Sequence, residues 1–190
     1  MTATPPGSGE RHPGALAHLD DRGQAHMVDV TAKPFTRRTA IARCVVVTVA
    51  DAPGVLAHPR EGMDLVDAAR FAGIHAAKAT ASLIPLCHPI CLDRVSIEVE
   101  ITAHRVEVSA STEIVERTGV EMEALTACAV AALTLLKALA AVDPEASIEE
   151  LTLWRKSGGR SGNWERTGPQ SQLARRPVAS PEPAAPNIPH

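Results

Sequence analysis

Aromatic residues are scarce in this sequence: they make up 2% of 190 residues, and tyrosine is absent. A core without large rings has to be built from alanine, valine, leucine and isoleucine, and an apolar fraction of 45% is enough for one globular domain. The net charge is only −3, so the chain lacks the basic excess that is typical of proteins that bind nucleic acids or anionic membranes. We therefore expect neither nucleic acid nor a membrane as a partner.

Cysteine motifs and export signals are also missing. The four cysteines, Cys44, Cys87, Cys91 and Cys128, form no C-x-x-C pair. Cys87 and His88 have no second ligand pair at zinc-site spacing, so we predict no metal, and we expect no other cofactor. The polar, proline-rich N-terminus is not followed by the apolar run of a secretory signal. Reduced thiols and a cytoplasmic location are the resulting expectations.

The longest apolar stretch, residues 120–142, contains no glycine or proline. It is apolar on nearly every face, which predicts a helix that is buried on several sides. Its length would just span a bilayer, but Glu121, Glu123 and Lys137 would be costly in hydrocarbon. We predict the central helix of a soluble domain, in which these three charges need a partner or a function.

The elements around this helix predict an α+β fold. The residue patterns indicate a β-branched strand at 39–50, an amphipathic helix at 64–79, an alternating hairpin at 94–102 and 105–115, and a last strand at 148–155. This order favours a ferredoxin-like antiparallel sheet with helices on one face. We expect the folded domain at residues 25–165, between a flexible segment at 1–24 and a disordered, proline-rich tail at 166–190.

Three segments carry residues that suit a ligand. The basic cluster from Lys33 to Arg38 is either a solvent-exposed arm or an arm that contacts an anion. The loop with Cys87 and His88 lies between two prolines and is either a packed turn or a loop that presents both side chains to a ligand; a thiolate nucleophile is a weaker alternative without a base in view. The glycine-rich segment 156–162 is either a flexible loop or a phosphate-binding loop, although it lacks P-loop spacing.

Five segments, HMVDVTAKP, AGIHAAK, LIPLCHPI, TGVEMEALTACAVAALT and KSGGRSG, follow one another along the chain. In this order and spacing the chain resembles the molybdenum cofactor biosynthesis protein C (MoaC) family, the cyclic pyranopterin monophosphate synthases, over about residues 18–162. The resemblance implies a homohexamer, a trimer of dimers of ferredoxin-like subunits, with active sites at the dimer interface. It also implies a lyase that rearranges 3′,8-cyclo-7,8-dihydroguanosine triphosphate to cyclic pyranopterin monophosphate, with loss of pyrophosphate, in molybdopterin synthesis.

The family's substrate-binding positions are kept in this sequence. The resemblance implies the binding residues Lys33, Arg38, Lys78, Leu86, Cys87, His88, Glu121, Met122, Glu123 and Lys156. Four cations among them suit a triphosphate. The carboxylate pair suits the donor edge of a guanine-derived ring.

The family's catalytic positions have changed. Its catalytic aspartate and lysine in the central helix fall on Lys137 and Ala140. Ungapped alignment puts a further family lysine at Gly62; either nearby Arg60 replaces its charge or the loop is shifted by a residue. Positions 137 and 140 share a helix face, so we predict that Lys137 is catalytic as a base or amine nucleophile; the alternative is an interfacial ion pair. Glu123 and Lys137 lie about 21 Å apart along the helix, so one site would take them from two chains.

Three functions fit this combination. The first is a working cyclic pyranopterin monophosphate synthase with altered catalytic residues. The second is a repurposed MoaC-like enzyme that acts on a related nucleotide in another biosynthetic pathway. The third is a catalytically inactive nucleotide-binding paralogue that partners an intact relative in mixed oligomers. Detection of products separates the first from the other two.

Overall fold

The computed structural model describes residues 18–20, 22–57 and 64–167. Gly62 and Arg60 lie outside these ranges, as do most residues of the two predicted terminal segments, so the domain boundaries remain predictions. The elements are β1 (Thr36–Val47), α1 (Ala52–Leu56), α2 (Leu65–Lys78), α3 (Thr80–Leu83), β2 (Arg94–Thr102), β3 (Arg105–Glu116), α4 (Glu121–Leu139), β4 (Ser147–Ser157) and β5 (Trp164–Glu165).

The five strands form one antiparallel sheet in the order β2-β3-β1-β4-β5. Without the two-residue β5, this is the strand order of a ferredoxin-like unit, in which β1 and β3 are central, and it confirms the predicted α+β class. The short elements α1, α3 and β5 were not predicted. Asp64 is the N-cap residue of α2, and its side chain accepts hydrogen bonds from the backbone amides of Val66 and Asp67. Its position at the start of the predicted helix is typical of such a cap.

α2 and α4 pack against each other and against one face of the sheet. Small residues set the spacing of the two helices, because a Cβ atom on Gly73 would lie 2.9 Å from the carbonyl oxygen of Ala127 and 3.1 Å from the Cβ of Ala131. α4 is long and apolar enough to span a membrane by length and composition, but 56% of its apolar window is buried within the fold. It is therefore the core helix that the sequence predicts.

Polar contacts at both ends of α4 fix its position on the sheet. Before the helix, Thr112 of β3 donates a hydrogen bond to the carbonyl oxygen of Val120 at 3.0 Å. Beyond it, Asp143 accepts hydrogen bonds from the Thr48 hydroxyl at 2.6 Å and from the Val49 amide at 2.8 Å. These bonds hold the pKa of Asp143 below its ordinary value. The N-terminal end of α4, which carries two glutamates, is thereby held at a defined place.

Candidate functional site

A cleft of about 340 Å³ lies beside the first turn of α4. Three parts of the chain line it: the arm before β1 (described residues 18–20 and 22–35), the loop after α3 (residues 84–93) and the segment that leads into and begins α4 (residues 117–123). Its lining residues are His18, Val28, Val30, Lys33, Leu86, Cys87, His88, Thr118, Gly119, Glu121, Met122 and Glu123. Seven of the ten predicted binding residues are among them, and their contact with substrate remains a prediction.

The loop between Pro85 and Pro89 is hydrogen-bonded to the arm before β1. His88 Nε2 donates a hydrogen bond to the carbonyl oxygen of Val28 at 3.0 Å, because a carbonyl can only accept. In a neutral imidazole this leaves Nδ1 as the acceptor. Leu86 has φ 65, in the left-handed region that side chains other than glycine rarely adopt. Such local strain is typical of loops that are shaped around a ligand.

Glu121 is held at the cleft by a cation from the far end of the chain. Lys156 Nζ, near the end of β4, lies 3.0 Å from Glu121 Oε1, and both side chains are partly buried. A Cβ atom on Gly119 would overlap the Glu121 carboxylate, so a larger residue there would displace the carboxylate from this position. The ion pair therefore joins the glycine-rich segment after β4 to the mouth of the cleft.

Glu123 lies in a very different environment from Glu121. It is only 4% exposed, and burial, with a smaller contribution from the charge of Glu121, raises its pKa to about 7. A carboxyl group with a raised pKa keeps its proton closer to neutral pH. In its protonated form Glu123 can donate a hydrogen bond as well as accept one.

Cys87 is a thiol in this setting. Burial raises its pKa, and the negative charge of Glu123 adds to the effect. A raised pKa disfavours the thiolate and so the alternative of a nucleophilic cysteine. Within the described ranges, no group of three or more His, Cys, Asp or Glu residues could hold a metal ion; the predicted lack of a metal remains a prediction.

Arg38 is not among the residues that line the cleft and lies against the turn that leads into α4. Its guanidinium donates hydrogen bonds to the carbonyl oxygens of Glu116 at 2.8 Å and Arg117 at 3.0 Å. A Cβ atom on Gly159, which has φ +70, would overlap this guanidinium. Arg38 therefore ties β1, the glycine-rich loop and the turn before α4 together, and its predicted contact with phosphate would use the remaining guanidinium edge.

Two predicted cations lie away from the cleft of their own subunit. Lys78 is exposed at the last residue of α2. Lys137 is exposed in the last turn of α4, about 21 Å along the helix from Glu123. Neither lysine lines the cleft of its own chain. The resemblance implies a site between two subunits, in which such residues would come from the partner.

His18 is the titratable lining residue that sequence reasoning missed. It falls in a segment that we predicted to be flexible from its composition, whereas the structure places it in a turn that spans residues 18–26. The signal was the Asp20-to-Gly23 spacing, which is typical of a turn. Residues Val28, Val30, Thr118 and Gly119 also line the cleft and were not predicted as site residues.

Comparison with known proteins places this cleft in a family. The MoaC family model matches residues 27–159. The chain is 50% identical over 166 residues to the cyclic pyranopterin monophosphate synthase of Thermomicrobium roseum, an alignment that covers 84% of this chain and 98% of the relative. It is 45% identical over 163 residues to cyclic pyranopterin monophosphate synthase 2 of Mycobacterium tuberculosis, covering 84% and 96%. It is 45% identical over 167 residues to the cyclic pyranopterin monophosphate synthase of Streptomyces coelicolor, an alignment that covers 86% of this chain and 96% of the relative. The chain belongs to the MoaC family.

Proposed function

We propose that this chain is a cyclic pyranopterin monophosphate synthase with altered catalytic residues. It would convert 3′,8-cyclo-7,8-dihydroguanosine triphosphate to cyclic pyranopterin monophosphate and pyrophosphate, in the cytoplasm, as a step of molybdenum cofactor biosynthesis. The observation that carries the proposal is the grouping of seven of the ten predicted binding residues around one cleft of about 340 Å³. That volume is within the usual range of small-molecule sites.

The cleft residues suit both the triphosphate and the guanine-derived ring of such a substrate. Lys33 lines the cleft and Lys156 lies at its edge beside Glu121, so two cations are in place for phosphate groups. Glu121 accepts hydrogen bonds from the N–H groups of a guanine-derived ring. A protonated Glu123 donates to an acceptor atom of the same ring, so the pair recognises a mixed edge.

The proposal requires a second subunit. The family relationship supports a homohexamer built as a trimer of dimers, and the exposed position of Lys137 at the far end of α4 suits an interface. We propose that Lys137 of the partner subunit enters the cleft and acts as a base or amine nucleophile. Lys78, also exposed, would reach the phosphates in the same assembly.

A product assay tests the function. The purified chain is incubated anaerobically with the cyclised dihydroguanosine triphosphate, and pyrophosphate and cyclic pyranopterin are followed together, with the Thermomicrobium roseum relative as the positive control. We expect both products in equal amounts. Lys137→Ala should lower the rate at least 100-fold, as loss of an acid–base group does, whereas Arg70→Ala, an exposed cation of α2, should not.

A second candidate function rests on the altered catalytic positions. With Lys137 and Ala140 in place of the family's aspartate and lysine, the cleft would serve a related nucleotide or bind without turnover. Calorimetric binding of the triphosphate without either product would favour this candidate over the first. A new product from another nucleotide would identify a repurposed enzyme, and the absence of one an inactive paralogue.

A further inference from the structure

We propose that His18 is a proton-accepting residue of the cleft, which takes the proton from the substrate hydroxyl group that displaces pyrophosphate. This inference rests on the proposed function and adds a residue that the family resemblance did not supply. It is carried by the position of His18 on the cleft wall and by the turn that holds it there.

The turn around His18 is a built structure. The amide of His26 donates to the carbonyl oxygen of His18 at 2.9 Å, and the amide of Asp20 donates to that of Gln24 at 2.8 Å. Leu19 and Ala25 form an antiparallel bridge inside this frame. The Asp20 carboxylate also accepts the backbone amide of Gln24 at 2.8 Å. His18 is therefore placed by several backbone contacts within the turn.

The arm that carries His18 is also hydrogen-bonded to the loop after α3. Two residues beyond the turn, Val28 accepts the hydrogen bond from His88, and Val28 and Val30 are themselves lining residues. His18 is exposed, so its imidazole can exchange a proton with water while it faces a bound ligand. This combination of a fixed backbone and an accessible ring suits a residue that accepts and releases protons.

The other titratable groups that line the cleft are Lys33, Cys87, His88, Glu121 and Glu123. Each has a different task or is poorly suited to the role of base. Lys33 is a cation, the pKa of Cys87 is raised by burial, and His88 Nε2 donates to the backbone. Glu121 is paired with Lys156 at 3.0 Å, and Glu123 is buried. His18 completes the set that one chain supplies with an accessible imidazole; the Lys137 proposed to enter from the partner subunit would act on the ring rearrangement and not on this step.

The reaction needs such a base for one definable step. A triphosphate that becomes a cyclic monophosphate and pyrophosphate must be attacked at its α-phosphorus by a hydroxyl group of the same molecule. The new oxygen–phosphorus bond forms, the bond from the α-phosphorus to the bridging oxygen breaks, and pyrophosphate leaves with that electron pair. The hydroxyl proton passes to the neutral imidazole of His18 and from there to water, so no oxidant or further reactant is needed.

The test compares His18→Gln with His104→Gln. His104 lies in the turn between β2 and β3, and its ring is hydrogen-bonded to the carbonyl of Ala50 at 3.3 Å, so it is a matched histidine outside the cleft. Pyrophosphate release from the cyclised dihydroguanosine triphosphate is measured from about pH 5.5 to about pH 8.5. Calorimetry with the same triphosphate measures binding.

We expect His18→Gln to lower kcat about 100-fold with KM changed less than about threefold, the signature of a lost base rather than a lost contact. The pH profile of His18→Gln should differ from that of His104→Gln, and any fall that follows ionisation of Glu123 should remain in both. Added imidazole should restore part of the rate to His18→Gly. A purely structural role would give neither the change in the pH profile nor the rescue.

Two results would overturn the inference in different ways. A normal rate and pH profile in His18→Gln, with an active unaltered chain, would remove His18 from the mechanism and leave the proposed function standing. If the unaltered chain binds the triphosphate but releases no pyrophosphate, the proposed function fails, and the step assigned to His18 fails with it.

Discussion

Replacement of Glu123 by glutamine tests whether the buried carboxyl group of the cleft carries a proton. The structure raises its pKa from 4.5 to about 7. A carboxyl group with a higher pKa in the folded than in the unfolded chain is more protonated in the folded state between those two values. Its ionisation therefore destabilises the fold progressively as the pH rises from about 4.5 to about 7, and the full loss persists above that range.

The size of the effect follows from the same numbers. At about 1.4 kcal/mol per pKa unit, the shift corresponds to about 3 kcal/mol of lost stability above pH 7. Glutamine has the shape of a protonated glutamate and does not ionise. Glu123→Gln should thus match the original chain near pH 4 and be more stable by up to about 3 kcal/mol near pH 8.

Thermal unfolding followed by circular dichroism at the two pH values measures this difference. Glu98→Gln, at an exposed position of β2, is the matched control and should show no comparable pH-dependent gain. If Glu123→Gln is instead less stable near pH 8 than the original chain, the carboxylate is ionised and stabilised by a cation, and the reasoning from burial is refuted.

Three further changes test other contacts. Gly159→Ala places a Cβ against Arg38 at φ +70 and should cost at least about 1 kcal/mol of unfolding free energy; an unchanged denaturation midpoint would contradict the tight packing. Gly73→Val crowds the carbonyl of Ala127 and should cost about 1–3 kcal/mol, a loss that urea unfolding would detect and that a neutral result would disprove. Lys156→Ala should weaken binding of GTP about tenfold, the loss of one phosphate contact, and that of guanosine much less; calorimetry showing equal losses would exclude a phosphate role.

The main elements of the fold could be predicted because their patterns are local. Alternation of apolar and polar residues marks β2 and β3, and the continuous apolar run marks α4. The two-residue β5 and the one-turn α3 are too short to leave a periodic pattern. The position of β5 depends on its pairing with β4, as when Trp164 pairs with Lys156, which residue order alone does not determine.

The site could be predicted only as separate segments. The sequence indicates that Lys33, His88 and Glu123 suit a ligand, but their meeting in one cleft depends on how the arm and the loop after α3 pack beside α4. The pKa of Glu123 could not be foreseen because it comes from burial. His18 was missed because an average over a proline-rich and glycine-rich segment conceals one well-formed turn.

The central claim is that this chain forms working sites from two subunits, and a mixing experiment tests it most directly. His88→Ala disables the cleft, and Lys137→Ala disables the residue that the partner subunit contributes. When equal amounts of the two inactive variants are unfolded and refolded together, half of the dimers are mixed, and each mixed dimer has one intact site. Because one site in four is then intact, we expect recovery of about a quarter of the original rate of pyrophosphate release. A mixture no more active than the two variants measured separately would contradict it.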